Sequence, residues 1–301
     1  MRFEDILGHN NVKNQLQTSI DNGKVSHAYI FCGKKGIGKT IIAHAFADAL
    51  TDGSVADVTV VTNQKYDIKT VAFSVEAVRS ARTEMYTRPY LANKRVFIFP
   101  LADTMTIGAQ NALLKVFEEP PEYCVIILLA ENDNLLLQTI RSRAITVRFA
   151  PLSDEIILGY LKQKYPNADL GIVVKLAGGS ILAAENLMSQ EGLSNMLGEF
   201  TQLMRGISSP QRANAYKIIN FLEREKANIN VLLDVMLIMF RDTLLYNGEK
   251  GDTMAIANVR SGAVLKAIDF VEARRRSLSF NANYSIAISE LLLNTWEAIH
   301  D

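Results

Sequence analysis

Short apolar runs alternate with amphipathic helical segments over the first half of the chain. Five runs have the length and the residue types of buried strands, at 28–31, 58–61, 95–99, 124–129 and 145–149. Helical spacing of apolar residues marks the segments between them: one around Val12, Leu16 and Ile20, and others at 41–47, 75–86, 106–118 and 135–141. Strands that alternate with helices predict a parallel sheet covered by helices on both faces.

The pattern changes after Pro151, because no further strand-like run follows and the remaining sequence is predicted to be almost wholly helical. The predicted helices there are 153–163, 170–176, one that follows Ser180, 212–225, 231–246, 254–274 and 282–299. We therefore expect an α/β domain at 1–151, a small helical domain at 152–206 and a C-terminal helical bundle at 207–301.

A glycine-rich loop follows the first predicted strand. Residues 33–40 read Gly-Lys-Lys-Gly-Ile-Gly-Lys-Thr and fit the pattern G-x-x-x-x-G-K-[ST] of a phosphate-binding loop (P-loop). Glycine-rich turns also occur without a ligand, but the position between a strand and a helix favours nucleotide binding. Gly33, Gly36 and Gly38 let backbone N–H groups approach a phosphate at the helix N-terminus. Lys39 is expected to reach the outer phosphates and Thr40 to ligate Mg²⁺.

The composition narrows the class of protein. Among 301 residues, 32 are Lys or Arg and 32 are Asp or Glu, so the formal net charge is zero. Any contact with nucleic acid must therefore come from a local basic patch and not from the net charge of the whole molecule. Cys32 and Cys124 lie far apart in apolar runs, which predicts two buried thiols in a reducing compartment and neither a disulfide nor a zinc site. No apolar run approaches the roughly 18 residues of a membrane span. We expect a cytoplasmic protein with no membrane partner.

The third predicted strand lacks an acidic residue at its end. P-loop hydrolases normally end a neighbouring strand in a carboxylate that holds Mg²⁺, often followed by one that orients the attacking water. Here the strand ends in Phe99-Pro100-Leu101, and neither proline nor leucine can do this chemistry. Asp103 is a candidate replacement, but an N-cap of a helix that starts near Thr104 is the favoured interpretation. The chain is expected to bind nucleotide without hydrolysing it.

Four segments resemble the AAA+ clamp-loader subunits of bacterial DNA polymerase III. They are residues 5–9 (Asp-Ile-Leu-Gly-His), residues 27–31 with the P-loop that follows, residues 111–121 (Asn-Ala-Leu-Leu-Lys-Val-Phe-Glu-Glu-Pro-Pro) and residues 139–143 (Thr-Ile-Arg-Ser-Arg). Residues 274–275, residues 281–283 and the leucine-rich last helix are similar to the C-terminal domain of the delta-prime subunits of that family. The resemblance implies an AAA+ P-loop domain, a helical lid domain and a helical collar domain, with the boundaries given above.

Three features depart from the family pattern, and the first of them favours a subunit that is not a motor. In the motor subunits the residues that match Pro100 and Leu101 are the two catalytic carboxylates. Many relatives insert a four-cysteine zinc module after the P-loop, whereas the stretch 50–58 is short and has no cysteine, so zinc is expected to be absent. The motor subunits also carry an arginine just after the residues that match Gly179 and Ser180, where this chain has isoleucine.

The resemblance also assigns a function to Arg143. In clamp loaders a Ser-Arg-Cys motif carries an arginine that reaches the nucleotide of the adjacent subunit, and Ser142-Arg143-Ala144 matches it with alanine in place of cysteine. Arginine suits this function because its guanidinium is always charged and can form two hydrogen bonds with phosphate oxygens. Without the resemblance, a solvated arginine or an ion pair with Glu131 or Asp133 would be the favoured interpretation.

The function implied by the resemblance is that of a non-motor subunit of the DNA polymerase III holoenzyme, without ATPase activity of its own. It would donate Arg143 in trans to ATP on a neighbouring motor subunit, in a hetero-oligomeric ring that also holds a delta-type subunit. The assembled ring would place the sliding clamp on primed DNA. The expected cofactor is ATP or ADP, bound at the P-loop without hydrolysis and with a place for Mg²⁺ at Thr40.

Two alternative functions stay open. One is an active AAA+ ATPase, or a motor subunit, with a relocated catalytic acid; the other is a DNA-binding scaffold that never binds nucleotide. Gln110 and Lys115 are the best candidates for a DNA contact, because the matching helix faces the central chamber in relatives. His27 is expected to be a structural hydrogen-bonding residue, since the four histidines lack a spacing typical of a metal site.

Overall fold

The computed structural model describes residues 2–63, 65, 73–246, 254–280 and 282–301. The chain divides into two compact units. The first unit comprises Met1–Ile156 and Gly179–Ile181, and the second unit comprises Ile157–Gly178 and Leu182–Asp301. The further division of the helical part into a lid domain and a collar domain stays a prediction.

A five-stranded parallel sheet forms the centre of the first unit. Its strands are β1 (Ala28–Cys32), β2 (Val58–Val60), β3 (Arg95–Phe99), β4 (Cys124–Ala130) and β5 (Ile145–Arg148). They lie in the order β2-β3-β4-β1-β5. All residues of β1, β3 and β4 are buried, as expected for parallel strands with helices on both faces. The five predicted strands are confirmed, each within one residue at its ends.

Helices cover the two faces of this sheet. They are α1 (Asn10–Asp21), α2 (Lys39–Leu50), α3 (Val75–Met85), α4 (Ile107–Glu118) and the short α5 (Gln138–Arg141). Because strand side chains alternate between faces, Tyr29 and Phe31 pack with α1 and α2, whereas Ile30 packs with α3 and α4. The predicted α/β architecture is confirmed, and α5 is shorter than the predicted segment 135–141.

The remaining helices lie wholly or largely in the second unit. They are α6 (Asp154–Lys164), α7 (Gly171–Ala177), α8 (Ile181–Ser189), α9 (Leu193–Arg205), α10 (Ala213–Arg224), α11 (Ile229–Tyr246), α12 (Ser261–Ser279) and α13 (Tyr284–His300). Gly178 ends α7 in a left-handed conformation (φ 54°), so the predicted stop at this glycine is confirmed. Within the described residues, no helix is long and apolar enough to cross a membrane.

The predicted start of a helix at 254 is wrong, because α12 begins only at Ser261. The N–H of Met254 donates to Asp242 Oδ2 (3.3 Å), and the N–H of Ile256 donates to Thr243 Oγ1 (2.8 Å). Asn258 then adopts a left-handed conformation (φ 60°). These tertiary hydrogen bonds to buried side chains of α11 hold the segment out of helical geometry, which local propensity cannot reveal.

Candidate nucleotide-binding site

The P-loop follows the carboxyl end of β1, where parallel α/β sheets bind ligands. The N–H of Gly33 donates to the carbonyl of Ala130 (3.1 Å), which ties the start of the loop to the end of β4. A Cβ on Gly33 would lie 2.7 Å from the Phe149 carbonyl oxygen, so only glycine fits there. Gly36 (φ 77°) and Gly38 (φ 111°) both have left-handed backbones that favour glycine.

The loop leads directly into the N-terminus of α2. Gly38 is the N-cap, Lys39 is the first helical residue, and Thr40 is exposed in the same turn. The first N–H groups of a helix have no intrahelical acceptor and favour an anion. The predicted site residues therefore lie together at the N-terminus of α2, with the side chain of Thr40 exposed beside the first N–H groups of the helix, and nucleotide binding there stays a prediction.

The ammonium group of Lys39 turns back onto the loop. Its Nζ donates to the carbonyls of Gly33 and of Lys34, the latter at 2.7 Å, and the side chain is buried. Burial lowers the pKa of Lys39, and the charges of Glu131, Cys32 and Asp103 partly oppose this shift. The ammonium group is thus held by carbonyl oxygens of the loop itself.

The carboxyl end of β3 carries no acidic side chain. Pro100 and Leu101 follow the strand directly, and Leu101 has a left-handed backbone (φ 55°) and is 53% exposed. Proline and leucine offer neither a metal ligand nor a base. The strand position at which a hydrolase needs its carboxylate is therefore apolar.

Asp103 lies beyond this strand end but does not cap a helix. Its Oδ2 accepts hydrogen bonds from the N–H groups of Glu131 (2.8 Å) and Asn132 (3.1 Å), just after β4. The N-cap of α4 is Thr106, whose Oγ1 accepts from the N–H of Ala109 (3.2 Å). The predicted N-cap function of Asp103 is wrong, because the chain turns it towards the end of the neighbouring strand.

An ion pair joins the ends of β4 and β5. Arg148 contacts Asp133 at 2.8 Å, and Cys32 Sγ lies 3.6 Å from the same carboxylate. Burial alone would raise the pKa of Asp133, but the hydrogen bond and charge of Arg148 bring it below its usual value. Sequence reasoning did not place Arg148 in the site, although its position at the end of the fifth strand was the available signal.

A pocket of about 310 Å³ adjoins the loop, lined by residues 9–12, Arg148, residues 150–153 and Ile156. His9 connects this pocket to the P-loop, because its Nε2 lies 2.6 Å from the Ile37 carbonyl oxygen. Sequence reasoning also missed this contact. The signal was present in the motif at 5–9, whose function the sequence did not reveal.

Arg143 lies at the amino ends of the strands, called here the amino edge of the sheet, whereas the P-loop lies at their carboxyl ends. Ile145 of β5 pairs with Tyr29 near the start of β1, so Arg143 precedes the amino end of the strand. At roughly 3.3 Å per residue the two edges are more than about 10 Å apart. Arg143 is therefore on the wrong side of the sheet to contact a nucleotide in its own P-loop.

The partners of Arg143 differ from the predicted ones. Its guanidinium lies 3.5 Å from Glu118 and donates to the Thr139 carbonyl (3.1 Å), and the side chain is 39% exposed. Asp133 is instead paired with Arg148. The pairing with Glu131 or Asp133 considered from the sequence is therefore wrong.

Gln110 and Lys115 were the two candidates for a contact with DNA, and the prediction for Gln110 is wrong. It is buried, its Nε2 donates to the carbonyls of Met105 (3.2 Å) and Leu135 (3.1 Å), and its Oε1 accepts from the N–H of Leu137 (2.7 Å). Both N–H donors of its amide and one acceptor position of Oε1 are thus used inside the protein. Lys115 is exposed on α4, and its contact with DNA stays a prediction.

The remaining predicted chemistry concerns His27, the cysteines and metals. His27 packs edge-on against the Phe117 ring, with 6.4 Å between ring centroids, and its buried Nε2 has no hydrogen-bond partner, so the predicted hydrogen-bonding function is not seen at this atom. Burial lowers the pKa of His27, and the Phe117 backbone partly opposes this shift. Cys32 and Cys124 are free and buried, as predicted. In the described part of the chain, no three His, Cys, Asp or Glu side chains are grouped to hold a metal ion. The absence of zinc stays a prediction.

Comparison with known proteins gives three results. Residues 8–153 match the family described as "DNA polymerase III, delta subunit". The chain is similar to DNA polymerase III subunit tau of Bacillus subtilis, with 27% identity over 83% of this chain and 51% of that protein. It is also similar to subunit delta' of Bacillus subtilis, with 26% identity over 76% of this chain and 75% of that protein. The chain thus spans about half the length of the tau subunit.

A similar solved structure is the DNA polymerase III gamma subunit-related protein of Thermotoga maritima. It is 20% identical in sequence, has a TM-score of 0.46 and covers 94% of this chain and 99% of its own.

Proposed function

We propose that this chain, whose residues 8–153 match the family described as "DNA polymerase III, delta subunit" and which is similar to subunits tau and delta', is a non-motor clamp-loader subunit of DNA polymerase III. It assembles in the cytoplasm with motor and delta-type subunits in a hetero-oligomeric ring. In that ring it donates Arg143 to ATP on a neighbouring motor subunit. The assembly then places the sliding clamp on primed DNA during replication.

The observation that carries the proposal is the apolar end of β3. Pro100 and Leu101 occupy the place where a P-loop hydrolase needs a Mg²⁺ ligand and a base. Asp103 is held by the N–H groups of Glu131 and Asn132, at the end of β4. A carboxylate fixed in this way is poorly placed to replace both missing groups, so the chain depends on its neighbours for ATP turnover.

The position of Arg143 supports a function in trans. The guanidinium lies at the amino edge of the sheet, away from its own P-loop, and is partly exposed. Its contact with Glu118 at 3.5 Å is of the exposed kind, typically worth about 1 kcal/mol or less, so it can be exchanged for a phosphate. In a neighbour's site, the fixed positive charge stabilises the charge that develops on the transferred phosphoryl group.

The P-loop of this subunit holds ATP or ADP as a ligand that is not turned over. The N–H groups near Gly36 and Gly38 bind phosphate oxygens, Lys39 exchanges its loop carbonyls for the outer phosphates, and Thr40 offers its hydroxyl to Mg²⁺. Bound nucleotide supplies negative charge that neutralises the buried ammonium of Lys39.

The Arg143→Ala variant, assembled with its partner subunits, tests this proposal. We expect DNA-dependent ATP turnover at the neighbouring site to fall by about a thousandfold or more, which is typical of the loss of an arginine finger, with assembly unchanged. Arg143→Lys should remain defective, because an ammonium cannot form the two-pronged contact. Arg224→Ala is the matched control, since Arg224 is also exposed and pairs with a glutamate, Glu199, at 3.3 Å.

Normal turnover in the Arg143→Ala complex would contradict the finger function. A loss of turnover in the Arg224→Ala control of the same size would also contradict it, since the effect would then not be specific to Arg143.

A second candidate, an ATPase with a relocated acid, is favoured by one observation. Asp103 accepts a hydrogen bond from Glu131 at the carboxyl end of β4, the strand that pairs with β1 just before the P-loop, and the charges of both residues oppose the lowering of the Lys39 pKa. If one of them completes a hydrolytic site, the purified chain will turn over ATP, and Asp103→Asn or Glu131→Gln will abolish that turnover.

A further inference from the structure

We infer that His9 is a positioning residue for the P-loop. Its imidazole holds the peptide group between Ile37 and Gly38, and thereby sets the direction of one N–H group that faces the phosphate site. This inference rests on the proposed binding of a nucleotide. It gives a function to the motif at 5–9, which the P-loop and Arg143 leave unexplained.

The contact is a short hydrogen bond from a side chain distant in sequence. His9 Nε2 lies 2.6 Å from the Ile37 carbonyl oxygen, and because a carbonyl only accepts, Nε2 must carry the hydrogen. The imidazole ring packs edge-on against Phe149, with 5.1 Å between ring centroids. A Cβ built on Gly38 would lie 3.6 Å from the ring, so the imidazole also covers the last loop glycine.

The backbone around His9 is unusual in a way that serves this contact. Gly8 (φ 68°) and His9 (φ 53°) are both left-handed, a conformation that is uncommon for residues other than glycine. A Cβ on Gly8 would lie 2.4 Å from the Leu152 side chain, and together with the positive φ this favours glycine at position 8. His9 is the N-cap residue of α1, yet its side chain makes no capping hydrogen bond there. The ring is directed to the P-loop instead of to its own helix.

The bond fixes more than one atom, because a peptide group is planar and trans. With the Ile37 carbonyl held on the side of His9, the N–H of Gly38 must point to the other side. The buried Ile37 side chain fixes one end of this unit, but Gly38 has no Cβ to prevent rotation of the peptide. His9 removes that freedom and keeps the Gly38 N–H with the N–H groups at the start of α2.

The experiment compares His9→Leu, which removes the donor, with His9→Gln, whose amide nitrogen has a similar reach and can still donate. His44→Leu, the same substitution at a half-buried histidine of α2, is the matched control. Two quantities are measured on the full chain: amide hydrogen exchange at residues 33–38 without nucleotide, and the affinity for a fluorescent ADP with Mg²⁺. Thermal unfolding of each variant reports any general loss of stability.

For His9→Leu we expect faster exchange at residues 36–38 and an affinity for ADP that is lower by roughly fivefold, the value of a typical hydrogen bond. His9→Gln and His44→Leu should behave like the unsubstituted chain in both measurements. Unchanged exchange in His9→Leu would overturn the inference, as would a loss in His9→Gln equal to that in His9→Leu. If the unsubstituted chain binds no ADP, the proposed nucleotide site fails, while the exchange measurement still decides the function of His9.

Discussion

The carboxylate of Asp57 shows how one buried residue can order a whole loop. Asp57 accepts hydrogen bonds from the N–H groups of Tyr90 (2.5 Å), Leu91 (2.9 Å) and Ala92 (2.9 Å), just before β3 begins. Burial alone would raise the pKa of Asp57, but these N–H groups and the Ser54 hydroxyl together lower it to about 2. The loop that leads into β3 is therefore held by the ionised carboxylate of Asp57.

This charged form predicts a pH dependence of stability. Because the pKa of Asp57 is lower in the folded chain than its usual value near 4, its contribution to the free energy of unfolding is complete above about pH 4. The contribution is lost as the pH falls towards 2. We expect Asp57→Asn to cost about 2 kcal/mol at pH 6, since the neutral side-chain amide has one acceptor oxygen where the carboxylate has two, and its NH₂ group faces backbone N–H donors.

Urea unfolding at pH 6 and at pH 3 measures this difference. The gap in free energy of unfolding between the unsubstituted chain and Asp57→Asn should narrow at pH 3, and an equal gap at both values would contradict the assigned hydrogen bonds.

The local geometry of the P-loop was predictable, because it depends on the spacing of residues along one loop. Gly33 to Thr40 lie between β1 and the first turn of α2, as the pattern indicates, and their binding of a phosphate stays a prediction. Partners distant in sequence could not be identified. Asp103 lies 28 residues before Glu131, whose N–H donates a hydrogen bond to its carboxylate, and His9 lies 28 residues before Ile37. Such pairs depend on the order of strands in the sheet.

Among the secondary-structure elements, α4 and the segment that leads to Arg143 are joined by one side chain. Gln110 bonds to backbone groups of Met105, Leu135 and Leu137 and is buried. Leu137 immediately precedes α5, which ends two residues before Arg143. Gln110 therefore links the position of α4 to that of the proposed finger.

Replacement of Gln110 should destabilise this junction. Gln110→Ala leaves an N–H and two carbonyl groups without their partner, and we expect a loss of about 2 kcal/mol in the free energy of unfolding. The neighbouring Asn111→Ala is the matched control, since Asn111 is exposed and such surface changes cost about 0.5 kcal/mol or less. Chemical denaturation measures both, and equal stabilities for the two variants would be evidence against the junction.

The helices were less completely predictable than the strands. The five strands are compact apolar runs, and burial on both faces makes their pattern clear. Helix α9 was not assigned from the sequence, although Leu193, Leu197, Phe200 and Met204 are buried at helical spacing. The start of α12 could not be predicted, because hydrogen bonds to Asp242 and Thr243 hold the preceding segment.

In the whole molecule, the first unit places the P-loop and Arg143, the two groups on which the proposed function depends, at opposite ends of the strands of one sheet. The P-loop lies at the carboxyl edge and Arg143 at the amino edge. A subunit that presents an arginine at one edge and a nucleotide site at the other suits head-to-tail association, which forms rings when the rotation closes. The separation of these groups, together with the apolar end of β3, is the basis of the proposed division between donor and motor subunits.

The most direct test is ATP hydrolysis by the purified chain with Mg²⁺ and primed DNA, measured beside the Lys39→Ala variant. If the chain is a non-motor subunit, its turnover will equal that of Lys39→Ala, because Pro100 and Leu101 occupy the positions of the two carboxylates that hydrolysis requires. Turnover above that of Lys39→Ala would contradict the account and would identify this chain as an ATPase in its own right.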